Sequence, residues 1–342
     1  MTEPLELLQR PRRLRRTAGL RRLVRETRLT ADRLVLPVFV HDGAEDEPID
    51  ALPGQVRHGL DGLVAKAGEA LALGVPGVAL FPKVDAGLKS RGAEEAWNDN
   101  GLIPRAVARL KRELPELVVI TDVALDPYNA DGHDGLVTDA GEVDNDATVA
   151  ALCKQAVCQA RAGADVVAPS DMMDGRVAAL REALDDAGFT GVAIGSYAVK
   201  YASAFYGPFR AALDSAPVAS PAQAGRVIPG DKRTYQMDPA NAREALREVE
   251  LDLDDGADWV MVKPAGPYLD VIHRVAEISD RPVAAYHVSG EYAMLKAAAA
   301  AGALDERAAV LEQLTGIARA GADVIFTYYA LDAARWLAEG AS

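Results

Sequence analysis

Eight short apolar runs recur along the chain, at residues 33–40, 77–81, 118–125, 164–170, 191–197, 259–264, 282–289 and 323–329, most of them rich in β-branched side chains. Most are continuous rather than alternating, as strands buried on both faces must be. Between them lie segments of helical periodicity, among them 60–73, 148–161, 241–255 and 308–319. Strand and helix alternating through a whole chain imply a parallel sheet. Eight such units closing on themselves make an α/β fold of the (β/α)8 TIM-barrel type, and 342 residues suit one barrel with an extension. A weak internal repeat agrees with this. Ala162-Gly163-Ala164-Asp165 returns as Ala320-Gly321-Ala322-Asp323, and Gly256-Ala257-Asp258 echoes both. Each reads as a helix ending at a glycine just before a strand. A doubly wound open sheet is the alternative, but no Gly-x-Gly-x-x-Gly follows the first run.

Two regions fall outside the alternation. Residues 1–30 form an N-terminal arm ahead of a catalytic domain at 31–342. Residues 211–233, with Pro217, Pro221, Gly225, Pro229 and Gly230, are too long for a simple strand–helix connection and read as an active-site lid. Between Arg10 and Arg28 stand nine arginines and one glutamate, a local charge of +8 in a chain whose net charge is −14. A basic arm on an acidic body points to docking on a neighbouring subunit, and the overall charge argues against nucleic acid as a partner. No long apolar stretch and no N-terminal apolar segment occur, so neither membrane insertion nor secretion is expected, and a cytoplasmic location is. The two cysteines, Cys153 and Cys158, sit five apart in a helical segment. They point about 140° apart around the axis, so they read as buried, reduced thiols rather than a metal pair or a disulfide.

Barrel enzymes keep their working groups at the C-terminal ends of the strands. Here those ends carry Asp122, Ala124 and Asp126 on the third strand, then Ser170 and Asp171 on the fourth. Lys200 follows the fifth, Lys263 closes the sixth, Ser289 the seventh, and Tyr328 and Tyr329 the eighth. Lys263, after Trp259-Val260-Met261-Val262, has its stem in an apolar wall. Poor hydration lowers an ammonium's pKa and frees the amine to attack a ketone. Lys200 should enter the same mouth from the adjacent strand, and two ammonium groups at close range each disfavour the other's charge.

These residues resemble the porphobilinogen synthase (5-aminolevulinate dehydratase) family over nearly the whole chain. The likeness is carried by Arg10-Pro11-Arg12-Arg13, Leu36-Pro37-Val38-Phe39-Val40, Ala168-Pro169-Ser170-Asp171-Met172-Met173-Asp174-Gly175 and the run from Lys200 to Arg210. It continues in Tyr235-Gln236-Met237-Asp238-Pro239, Met261-Val262-Lys263-Pro264-Ala265 and Val288-Ser289-Gly290-Glu291-Tyr292. The resemblance implies condensation of two 5-aminolevulinate molecules to porphobilinogen with loss of two waters. Lys263 would be the principal Schiff-base lysine and Lys200 the second. Arg210, Lys232 and Gln236 would bind one substrate carboxylate from the lid side, and Ser289 and Tyr328 the other. Asp122, Ser170 and Asp171 would orient amines and Lys200.

The sequence departs from many family members at the metal. Where those carry three zinc-binding cysteines, this chain has Ala124, Asp126 and Asp134. Hard oxygens replace soft thiolates, so no catalytic Cys-zinc site is expected. The chain instead resembles the aspartate-rich, magnesium-responsive branch, with Asp126 and Asp134 facing a hard cation or a substrate amine. His133 beside them reads as a satisfied loop histidine. Glu248 matches the family's allosteric Mg2+ position, where one carboxylate can suffice because Mg2+ keeps most of its waters. The family's homo-octamer, assembled through the N-terminal arm, fits the basic arm. The competing readings are a class I Schiff-base aldolase, which needs only one such lysine, and a non-catalytic ring-shaped scaffold.

Overall fold

The computed structural model describes residues 7–217 and 226–340. Eight strands pair in chain order and all in parallel: β1 Leu34–Val40, β2 Gly77–Pro82, β3 Val118–Val123, β4 Val166–Pro169, β5 Ala193–Lys200, β6 Trp259–Lys263, β7 Val283–His287 and β8 Val324–Thr327. The sheet closes where Leu34 and Val35 of β1 meet Ile325 and Phe326 of β8. Closure makes a TIM barrel and removes the open-sheet alternative. Every residue of β1 and β2 is buried, which accounts for their unbroken apolar sequences.

The surrounding helices are α1 Leu60–Ala72, α2 Leu102–Glu113, α3 Asn145–Ala162, α4 Arg176–Asp186, α5 Gly207–Leu213 and α6 Arg243–Asp254. They continue as α7 Leu269–Ile278, α8 Ser289–Ala300, α9 Glu306–Ala320 and α10 Ala330–Gly340. The internal repeat is a helix-to-strand joint used twice. Gly163 ends α3 at φ 105° and Gly321 ends α9 at φ 120°. Both angles are disfavoured for residues with a Cβ. Cys153 and Cys158 lie on α3, both as free thiols. Cys158 is buried as expected, whereas Cys153 is only half-buried. Burial pushes the Cys158 thiol up to about 12, with Asp99 adding to the shift.

Strand ends differ from the sequence reading where the chain bends out of the sheet. β3 stops at Val123, so Ala124 and Asp126 lie in the following loop. β5 runs on to Lys200, which is its last residue rather than a residue beyond it. Ser289 opens α8 and does not close β7. A bulge between β5 and β6 has the larger consequence. Trp259 and Val260 face Gly195 and Ser196, but Val262 faces Val199, and Lys263 then faces Lys200. The extra residue on β5 changes its side-chain phase, as bulges near active sites do. It sets the two lysines side by side on neighbouring strands, which lie about 4.8 Å apart.

The arm contains a 3-10 turn, Pro11–Arg15, and a short helix, Ala18–Leu23, started by Thr17, whose hydroxyl accepts from the Leu20 N–H at 3.1 Å. Leu8, Leu14 and Leu23 are exposed here, alongside the arginines. No described helix is long and apolar enough to cross a membrane.

Candidate active site

A cleft at the C-terminal end of the barrel is lined by Lys200, Lys263, Asp122, Asp126, Asp134, Ser170, Arg210, Lys232 and Gln236, together with Phe81, Tyr206 and Phe209. Elements distant in sequence meet here, from the ends of β3 to β6, the loop after β3, α5 and the segment before α6.

Lys263 Nζ stands in an aromatic box. It is 4.5 Å from the centroid of the Tyr286 ring, 5.0 Å from Phe209, 5.1 Å from Tyr197 and 5.2 Å from Tyr206. Burial lowers its pKa to about 7, and the Lys200 charge pushes the same way, against the attraction of Asp122, Asp134 and Asp126. Both influences favour the free amine over the ammonium at Lys263. The rings also suit the cation that an iminium would create there. Lys200, on the other side of the β5–β6 seam, donates to the backbone carbonyl of Ser170, and its Nζ lies 3.7 Å from Asp134 Oδ2.

Asp122 lines the same cleft, close enough for the charges of both lysines to act on it. Burial raises its carboxyl to about 7, against the pull of Lys200, and Ser170 hydrogen-bonds to it. Its Oδ1 is buried with no hydrogen-bond partner among the described residues. The backbone around it is held by two buried glutamines of α3, Gln159 donating to the Asp122 carbonyl at 2.9 Å and Gln155 to that of Ala124 at 3.2 Å. An acid whose pKa is pushed up beside an amine whose pKa is pushed down is suited to passing protons in either direction.

The loop after β3 delivers Asp126 and Asp134, and the segment that follows residue 226 delivers Lys232 between them. Lys232 Nζ lies 3.3 Å from Asp126 Oδ2 and 3.1 Å from Asp134 Oδ1, and Gln236 Nε2 donates to Asp134 Oδ2 at 3.4 Å. Burial alone would raise the Asp134 carboxyl, but Lys200 and Lys232 hold it below its usual range. Burial raises Asp126, only partly offset by Lys232. For Lys232, the two carboxylates outweigh burial and raise its pKa. The position between Asp126 and Asp134 thus already holds an ammonium. Arg226 anchors the same segment further back, binding buried Asp131 through both guanidinium ends at 3.1 and 2.9 Å. Residues 218–225 of the 211–233 region lie outside the described residues.

Three residues expected at the substrate make hydrogen bonds or ion pairs within the protein. Ser289 Oγ accepts from Phe209 N at 3.1 Å and donates to the Phe205 carbonyl at 3.3 Å. Tyr328 shares a hydrogen bond of 3.1 Å with the Tyr286 hydroxyl. Both hydroxyls are therefore already engaged within the protein, and neither residue is among those lining the cleft. Asp171 is fully buried, accepts from Met173 N and lies 3.8 Å from Arg176, while the Lys200 charge also acts on it. It follows the strand end, Pro169, by two residues. Glu248 lies outside the cleft, on α6, as expected. His133 is satisfied, though by the 229–235 segment rather than by its own loop, donating from Nε2 to the Pro229 carbonyl at 2.8 Å and bonding Tyr235 at 3.1 Å. The sequence reading missed the four rings around Lys263 and the two glutamines. The run from Lys200 to Arg210 contains Tyr206 and Phe209, but nothing in it marks them as a cover for Lys263.

A parallel barrel with two lysines in register at its working end, one of them pushed by burial toward the free amine, defines an enzyme of amine–carbonyl chemistry. The family profile for delta-aminolevulinic acid dehydratase matches residues 8–336, and the chain belongs to that family. A chloroplastic delta-aminolevulinic acid dehydratase of Selaginella martensii is 56% identical over 98% of this chain and 79% of its own length. That of Chlamydomonas reinhardtii is 55% identical over 98% of this chain and 86% of its own. The crystal structure of delta-aminolevulinic acid dehydratase (porphobilinogen synthase) from Toxoplasma gondii ME49, in complex with the reaction product porphobilinogen, superposes with a TM-score of 0.93. It is 52% identical, covering 98% of this chain and 93% of that one. The reaction is the hydro-lyase condensation of 5-aminolevulinate to porphobilinogen, a step of porphyrin biosynthesis. The aldolase and scaffold alternatives are set aside. The cytoplasmic expectation is corrected as well, because these relatives are named as chloroplastic. The lack of an apolar N-terminal segment argued against secretion and carried no information about other compartments.

Proposed function

We propose that Lys263 and Lys200 each capture one 5-aminolevulinate through its ketone. Each amine adds to the carbonyl carbon and expels one water, leaving an iminium. The iminium on Lys263 is an electron sink that acidifies the neighbouring carbon for carbon–carbon bond formation. Asp122, near its own midpoint and close to both lysines, accepts and returns the protons. The observation that carries this reading is the register of Lys263 opposite Lys200, with Lys263 in an apolar box. Borohydride reduction with substrate present, followed by peptide mapping, should place adducts on both lysines. An adduct on neither would end the proposal.

Arg210 and Lys232, with Gln236, bind one substrate carboxylate. Arg210 lines the cleft and has no carboxylate partner among the described residues. The other carboxylate falls to Ser289 and Tyr328. Ser289 can keep accepting from Phe209 N while its proton moves from the Phe205 carbonyl to the substrate. Asp126 and Asp134, already holding an ammonium, suit a substrate amino group. With Ala124 offering no donor, this set of oxygens fits a hard cation or an amine better than zinc.

The magnesium-responsive reading rests on Glu248. It is half-buried beside a cavity also lined by Asp174, Glu244, Asp238 and Asn145. Burial raises its carboxyl, and the charges of Asp252, Asp174 and Glu244 add to the effect. A hydrated Mg2+ would relieve that crowding through one carboxylate. Chelation should lower the rate, Mg2+ should restore it, and Glu248→Gln should retain basal turnover while losing the Mg2+ response. Restoration by zinc alone would contradict this. The arm (1–30), with its exposed leucines and arginines, is proposed to dock on another copy in a homo-octamer. Removal of residues 1–30 should give smaller assemblies by sedimentation, and an unchanged assembly would refute the role.

A further inference from the structure

We infer that Glu291 is a positioning residue for Lys263: its buried carboxylate ties the chain just beyond the lysine to the start of α8. Glu291 is fully buried and has no cationic partner among the described residues. A carboxylate so placed needs hydrogen-bond donors in place of water. Here they are all backbone. Oε1 accepts from Gly266 N at 2.7 Å, and Oε2 accepts from Val288 N at 2.8 Å and Ala265 N at 3.4 Å. The Val288 bond caps α8, so one side chain joins the end of β6 to the β7–α8 corner. The fit is close at Gly266, where a Cβ would lie 2.5 Å from Glu291 Oε1 and 2.8 Å from Gln313 Nε2.

The same corner fixes the opposite wall of the box. Ser289, two residues earlier, holds the Phe205 carbonyl and Phe209 N. Tyr206, between them, donates from Oη to the carbonyl of Lys263 at 3.1 Å. The first turn of α8 therefore grips both the 205–209 segment that covers the amine and the 265–266 segment that carries it. Lysine side chains are long and flexible, so a nucleophile built on one depends on a fixed backbone and fixed walls.

This inference rests on Lys263 being the principal Schiff-base residue. Glu291→Gln keeps the shape but turns one acceptor oxygen into a donor facing a backbone N–H. Gly266→Ala disturbs the same contact from the other side. For either variant, kcat should fall roughly 10- to 100-fold, as expected for a reacting group displaced by a fraction of an ångström to one ångström, with KM for 5-aminolevulinate changed by less than about threefold. Borohydride trapping with peptide mapping supplies an internal control. The Lys263 adduct should fall relative to the Lys200 adduct in the same folded molecules. An unchanged ratio between the two adducts in both variants would overturn the assignment, because general loosening of the fold affects both lysines together. No Lys263 adduct in the wild-type enzyme would instead overturn the reading on which the inference stands. Should Glu291→Gln fail to fold, Gly266→Ala carries the test alone.

Discussion

Lys263→Met should reduce turnover by about four orders of magnitude, the scale on which a covalent nucleophile works, and should leave no adduct at position 263 after reduction. The same change should make the protein more stable. A lysine amine boxed by Tyr197, Tyr206, Phe209 and Tyr286 costs the folded state whenever it is protonated, and methionine fills similar space without that cost. The sign follows from proton binding. The folded lysine titrates near 7 and the unfolded one near its ordinary value of 10.5, so between them the unfolded chain holds more protons. The wild-type penalty should therefore grow as pH falls from about 10.5 to about 7 and level off below. Chemical denaturation of both proteins at several pH values would show it. A variant less stable than wild type near pH 7 would mean that the lysine is structurally favourable, contrary to this account.

Lys232→Met should have the next largest effect, on stability and on substrate binding together. Lys232 is 4% exposed and stands between two buried carboxylates. Removing it leaves Asp126 and Asp134 without the ammonium that contacts both. Loss of one partner from a buried pair costs about 3–5 kcal/mol. The loss should be largest near neutral pH and shrink on acidification. Asp134 contributes stability above its ordinary value of 3.8, and that contribution disappears as pH falls through its depressed folded value. KM for 5-aminolevulinate should rise roughly 100-fold if a charge-assisted bond to the carboxylate is lost. Adding Asp134→Asn should return part of the stability without restoring KM. If KM did not move in Lys232→Met, the carboxylate would be bound elsewhere.

Much of this was open to reading in the sequence, for reasons that can be named. Continuous apolar runs such as Val35 to Val40 have to be buried on both faces, and their repetition with helices fixes a barrel. A lysine such as Lys263 that ends a run of that kind cannot avoid an apolar wall. What stayed hidden are relations between segments. The bulge between Val260 and Val262 on β6 and the facing stretch of β5 brings Lys200 opposite Lys263, and neither strand shows it alone. Asp171 follows Ser170 directly, yet one lines the cleft and the other turns to Arg176. The sequence offers the hydroxyls of Ser289 and Tyr328 as ligands but does not show the bonds they already make to Phe205, Phe209 and Tyr286. Glu291, an acidic residue at the start of a helix, looks solvated in sequence and is fully buried.

The account turns on Lys263 being an amine at neutral pH before any substrate arrives. Competitive acetylation of the substrate-free enzyme across a pH range, read at that residue by peptide mass mapping, tests this directly. The account predicts half-maximal reactivity near pH 7, moving upward in Lys200→Met as the neighbouring charge is removed. Reactivity that rises only near the ordinary lysine value of 10.5, with no response to the loss of Lys200, would contradict it.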